Sequence, residues 1–163
     1  MRAEVIEPLI VKPVPRDTHA PWLDPKANKV ELVEDFVVLL KVNAWEHYIV
    51  VPKGYVSDWS SIPRAVWWIY PPNFSEARHG SIVHDYIYSH LYRKFSKDFA
   101  DKALKACMSM DGASRFAQTV FYNAVKVGGS GGWTLMNRDD VHPHWKEQHE
   151  FIRYKHNKPF YTS

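Results

Sequence analysis

Residues 35–42 (Asp-Phe-Val-Val-Leu-Leu-Lys-Val) and 46–51 (Glu-His-Tyr-Ile-Val-Val) are two apolar, β-branched runs with Asn43-Ala44 between them. No other stretch restricts the fold as strongly. Branched side chains pack well on a pleated surface, and a short polar connection suits a tight turn, so a β-hairpin is expected. Pro52-Lys53-Gly54 then turns the chain into a short strand near Tyr55-Val56.

The period changes beyond residue 74. Gly80, Val83, His84, Ile87, Tyr88 and Leu91 recur at the spacing of one helical face, which predicts a helix over about 75–93. A second helix is expected over about 97–110, burying Phe99, Ala103, Ala106, Cys107 and Met110, with Asp101, Leu104 and Met108 on its flank. A third is expected over about 114–127, burying Phe116, Val120, Ala124 and Val127. The run Gly128-Gly129-Ser130-Gly131-Gly132 should end it as a flexible hinge. It lacks the Gly-Lys-Ser/Thr ending of a phosphate loop, so nucleotide binding is not supported. The fold class is α+β: an N-terminal hairpin or small antiparallel sheet packed on a three-helix core.

Two segments flank this centre. Pro8, Pro13, Pro15, Pro21 and Pro25 make residues 1–30 an extended, irregular arm. Residues 133–163 form an aromatic and polar tail, leaving 31–132 as the single domain. Ser57, Asp58, Ser60 and Ser61 precede Pro63 and are suited to cap a short helix through Trp67 and Trp68.

With 45% hydrophobic and 24% charged residues the composition is globular, and the 163-residue length suits one domain with a real core. Aromatics reach 15%, which points to a broad aromatic core or a binding surface. The formal charge of +3 is spread along the chain and does not indicate nucleic-acid binding. Cys107 is the one cysteine, so no intrachain disulfide or thiolate metal cage forms, and its small apolar neighbours mark it as a core residue. No signal peptide or membrane span is recognisable. The chain is therefore expected to be made in a cytoplasm and, if exported, to leave by another route.

The chemistry concentrates in His84-Asp85-Tyr86-Ile87-Tyr88. A His beside an Asp pairs a proton acceptor with a hard oxygen ligand, and neighbouring side chains on a helix point about 100° apart. Asp101 follows on the next helix. Near neutral pH an imidazole can take a proton from water, and a carboxylate on its other nitrogen would fix the tautomer. His84 and Asp101 equally describe a pair that locks two helices. Asp85 reads as a ligand or as a carboxylate bonded to Arg64, Arg78 or a Tyr hydroxyl. Asp58 reads as a helix cap, and Arg64 as an anion clamp or a solvated first-turn residue. His79 lies about 140° around the helix from His84 and should not share its site. His142, His144 and His149 match no zinc spacing and belong to a solvated tail.

Gly54-x-x-Ser57-Asp58-x-Ser60-Ser61-x-Pro63, Trp67-Trp68, Pro71-Pro72, His84-Asp85-x-x-Tyr88, Ala100-Asp101, Met108, Tyr122 and Ala124-Val125 resemble the family called Domain of Unknown Function 1353, over about residues 50–133. That resemblance implies a bacteriophage or prophage origin and carries no settled activity. The two-helix pattern from His84 to Met108 is also similar to the core of bacterial and fungal secreted calcium-dependent phospholipases. This likeness implies His84 as base, Asp101 as its orienter and Asp85 as ligand to calcium or another divalent cation. Asp58 would help hold the metal, and Arg64 and Tyr88 would meet the substrate. The disulfides and Gly-rich calcium loop of those enzymes are missing here. Two functions follow as expectations. One is a phage-encoded hydrolase of host-envelope ester or amide bonds. The other is a non-catalytic tail or baseplate component that grips other phage structural proteins through residues 1–30 and 133–163, and so is virion-associated.

Overall fold

The computed structural model describes residues 1–14, 29–57 and 74–136. Among these described residues six strands precede three α-helices: β1 (Arg2–Glu7), β2 (Val11–Pro13), β3 (Val30–Leu32), β4 (Phe36–Val42), β5 (Trp45–Val51), β6 (Val56–Ser57), α1 (Arg78–His90), α2 (Lys97–Met110) and α3 (Arg115–Met136). They make two antiparallel three-stranded sheets, ordered β1-β4-β5 and β2-β3-β6. The α+β expectation holds.

The hairpin forms at the expected place. Val42 pairs with Trp45 across Asn43-Ala44, and Asn43 takes the left-handed backbone (φ 55°) that its short polar side chain tolerates. Alternation along β4 then sorts its side chains. Phe36, Val38 and Leu40, with Ile49 and Val51 of β5, face Ile82, Val83, Tyr86, Ile87, Ala100, Ala103 and Cys107 of the helices. Val37 and Val50 form a small cluster with Tyr48 on the other face.

Residues 2–7 do not stand off as an arm. They pair with β4, because Ala3 and Val5 alternate inward onto the core while Glu4 faces out to meet Lys41 at 3.1 Å. Proline governs only the chain beyond Glu7. Of residues 8–30, β2 and the first residue of β3 are strand, while 15–28 lie outside the described residues.

Helix α1 begins after a short 3-10 turn, Ser75–Ala77, and ends at His90; five residues of its expected stripe are buried within it, and the sixth, Leu91, is buried just past its end. Helix α2 has the expected bounds and a Ser96 cap, whose Oγ accepts from the Phe99 N–H at 3.2 Å. Its burial differs from the expectation. Asp101, Leu104 and Met108 are buried, while Phe99 and Met110 are half-buried. The reason is that α2 is central, packed against α1 and β1 and also covered by α3.

Helix α3 requires two corrections. Its inner face is Ala117, Phe121 and Val125, packed on Ala77, Leu104 and Met108. Phe116 (63% exposed) and Val127 (82%) point outward. Two apolar stripes run along this helix one residue apart, and the large Phe121 flanked by small residues is the one that fits against α2. The helix also continues through the glycine run to Met136. Each Gly costs a helix about 1 kcal/mol relative to Ala. Beyond the run, Trp133 packs on the main core and meets Tyr88 edge-on at 4.8 Å, a tertiary contact that favours an unbroken helix. Among the described residues no helix is long and apolar enough to cross a membrane.

The α1–α2 crossing depends on Gly80. A Cβ there would stand 2.8 Å from Leu104 Cδ1 and 2.9 Å from the Leu104 carbonyl oxygen. The backbone contact cannot rotate away, so Gly80→Ala should destabilise the protein by about 1–3 kcal/mol despite alanine's better helix propensity. Chemical denaturation checks this, and an unchanged or raised midpoint would refute it.

Candidate functional site

Asp101 is 2% exposed, and its carboxylate lies where α1, α2 and α3 meet. A carboxylate in such a place needs donors. Asp101 Oδ1 accepts from Tyr88 Oη at 2.8 Å and from His84 Nε2 at 3.0 Å. Asp101 Oδ2 accepts from Lys97 Nζ at 2.7 Å. Lys97 also donates to the Val125 and Lys126 carbonyl oxygens at 3.1 and 3.2 Å, which ties α3 to the network. His84 and Tyr88 are one helical turn apart, so both reach the same oxygen, with their rings 4.1 Å apart.

The opposite side of His84 is different. Its Nδ1 stands 3.6 Å from Asp85 Oδ1, beyond hydrogen-bond reach, and is buried without a hydrogen-bond partner among the described residues. Asp85 is partly exposed, and Ser57 Oγ lies 3.5 Å from its Oδ2. Because an ionised Asp101 only accepts, Nε2 must carry a proton, and the lone pair of a neutral His84 then sits on Nδ1. The imidazole is thus held at one nitrogen and left as a base at the other.

Electrostatics bias its charge. Burial favours the neutral imidazole, but the Asp101 hydrogen bond and the nearby Asp85 carboxylate outweigh it and raise the His84 pKa. Burial pushes the Asp101 pKa up, and the hydrogen bonds from His84, Lys97 and Tyr88 outweigh that and hold it low. Burial and the Asp101 bond push the Tyr88 phenol up, so it stays a donor. With His84 protonated, the cluster balances two carboxylates against two cations.

The sequence expectations meet this geometry unevenly. His84, Asp101 and Tyr88 come together, with Tyr88 turned towards Asp101. Asp85 lies beside the free nitrogen. Asp58, Arg64 and the Ser60-Ser61 cap lie outside the described residues, as do His142, His144 and His149. His79 is separate, paired with Asp111 at 2.8 Å and stacked on Phe36. Burial pushes the Cys107 thiol up, which suits a core residue. Lys97 joins the site beyond the sequence expectation, although its four-residue spacing from Asp101 is that of a helical ion pair.

Calcium takes six to eight oxygen ligands. Among the described residues no three His, Cys, Asp or Glu side chains converge on one point, and Asp85 alone does not make a calcium site.

The sequence profile described as "Protein of unknown function (DUF1353)" matches residues 30–125, more than half of the chain. The chain belongs to the DUF1353 family. The matched span of this DUF1353 protein contains α1, α2 and the side chains of His84, Asp85, Tyr88, Lys97 and Asp101. No match to the chain is found among the curated proteins or the solved structures.

The raised His84 pKa makes a testable statement about folding. A group whose folded pKa is raised contributes its stability fully below the unfolded value, about 6.5, and loses it as pH rises through the folded value. The unfolding free-energy gap between wild type and His84→Asn should therefore be largest below pH about 6.5 and shrink at higher pH. The depressed Asp101 pKa acts in the opposite window, with stability present above about 3.9 and lost as pH falls. Urea melts at several pH values measure both, and a His84 gap that widens with rising pH would contradict the charge assignment.

Proposed function

We propose that the protein is a phage-encoded hydrolase of host-envelope acyl bonds, with lipid esters as the favoured substrate, in which His84 is the general base. One observation carries this reading: Asp101 fixes the proton on Nε2 and leaves Nδ1 as the only basic nitrogen. In the neutral state Nδ1 takes a proton from water as the water oxygen bonds to the substrate carbonyl carbon. Asp101 stabilises the imidazolium that results, and Tyr88 and Lys97 keep Asp101 ionised and in place. The C–O bond to the leaving group then breaks, and the imidazolium returns its proton to the departing alcohol. Orientation of a base by a buried carboxylate recurs wherever imidazole activates a hydroxyl or water. The local likeness to calcium-dependent phospholipases favours a lipid ester over a cell-wall amide.

A second reading is favoured by the burial of His84, which is 4% exposed. In it the network is a lock between α1, α2 and α3 in a virion component. Residues 1–30 and 133–163 would then dock on neighbouring phage proteins.

Hydrolysis assays separate the two. Phospholipid and peptidoglycan substrates are incubated with wild type, His84→Asn and Asp101→Asn, with and without calcium or zinc. The hydrolase reading expects the His84 variant to lose about 10²–10⁴-fold in rate. The wild-type rate should rise with pH along a limb above about 6.5, because the base must be neutral and its pKa is raised. Activity that survives His84→Asn removes it from the mechanism. A folded wild type inert on every substrate supports the lock.

A further inference from the structure

Helix α3 carries a second apolar stripe beside its core face. Phe116 and Val127 are exposed, Val120 between them is half-buried at the edge of the Leu104–Phe121 cluster, and the three lie within about 40° of one another around the helix. The face about 120° around the helix, Ala117, Phe121 and Val125, already fills the core, so this helix is apolar on two sides. A helix apolar on two sides normally has both covered.

The charge around the ridge indicates what covers it. No Asp or Glu occurs between Asp111 and Asp139. Arg115, Tyr122 and Lys126 form a third stripe about 100–140° around the helix from the ridge, beyond Thr119 and Asn123. Lys105 reaches across from α2, so that its ammonium and that of Lys126 lie 5.4 and 5.7 Å from the Tyr122 ring centre. Asp98, 3.5 Å from Tyr122 Oη, is held by Lys102. An apolar ridge with a stripe of Lys, Arg and Tyr beyond it complements a surface with anionic headgroups above hydrocarbon. A second copy of the chain would bring the same uncompensated cations against one another.

We infer that the outer face of α3, the Phe116–Val120–Val127 ridge with the Arg115, Lys105 and Lys126 cations beyond it, docks the protein on an anionic lipid surface. The inference rests on the lipid-ester reading and deepens it. Phe116 and Val127 enter the acyl boundary while the cations meet headgroup phosphates. Lys97 bonds the α3 backbone at Val125 and Lys126 and also Asp101, so the docking helix and the His84 network are one connected unit.

The test is flotation of the full chain with phosphatidylglycerol vesicles and with phosphatidylcholine vesicles. Wild type should bind the anionic vesicles and release them at about 1 M salt, where the Debye length falls to about 3 Å. Phe116→Ser/Val127→Ser and Lys105→Glu/Lys126→Glu should each weaken binding by roughly tenfold or more. Both should keep the wild-type melting temperature, because these side chains lie outside the core. His84→Asn should bind as wild type does. Absent anionic-vesicle binding, equal binding of both vesicle types, or unaltered binding by the ridge variants would overturn the proposal. So would a dimer in sedimentation that the ridge variants dissociate, which would assign the ridge to a second copy. Vesicle binding without lipid hydrolysis would retain the docking face and reject the lipase step. Hydrolysis of a soluble short-chain ester without vesicle binding would do the reverse.

Discussion

The buried carboxylate of Asp101 is the constraint on which the helical half of the molecule depends. Removing an ionised carboxylate from water costs several kcal/mol unless donors replace the lost hydration. Here the donors come from defined places: His84 and Tyr88 on α1, and Lys97 one turn earlier on α2. Each must hold its helix at a fixed rotation to reach. Lys97 extends the constraint to α3 through two backbone carbonyls. The close α1–α2 approach at Gly80 and the docking of Trp133 on Tyr88 work in the same direction, since both keep Tyr88 and His84 against Asp101.

Much of this was legible in the chain because it is local. The hairpin follows from two branched runs around Asn43-Ala44, and the bounds of α2 follow from Ser96 and the turn at Gly112. The expected stripe of α1 was readable but incomplete: Ser81, Ile82, Tyr86 and Ser89 are buried as well, because the helix is covered by the sheet as well as by α2. Pairing His84 with Asp101 needed only two helices and their periodicity. The features that could not be read were set by non-local packing. Residues 2–7 look like the start of an arm until β4 offers an edge to pair with. Asp101, Leu104 and Met108 look like a flank until α3 covers them.

Helix α3 shows where pattern reading fails. Periodicity gives the spacing of a buried face and not its phase when two apolar stripes compete. Volume decided between them: Phe121 fits between Leu104, Met108 and Phe74, whereas Phe116 stays in solvent. The glycine run failed for a related reason. Its helix penalty is a local quantity of about 1 kcal/mol per residue, and a docked Trp beyond it is a tertiary one. The sequence records the first openly and the second only through the identity of Trp133.

The two proposed readings of the network, lock and base, differ at one nitrogen. A pair selected for stability alone would give both ring nitrogens partners, because an unmet buried polar atom costs about 1–3 kcal/mol. His84 instead has Nε2 bonded and Nδ1 unbonded, facing a carboxylate 3.6 Å away. A neutral imidazole there presents its lone pair to negative charge, which is unfavourable, and protonation relieves it. The arrangement therefore stores proton affinity at an atom that no hydrogen bond among the described residues uses. That local cost is held in place by Asp101, whose carboxylate Tyr88 and Lys97 fix from two other directions.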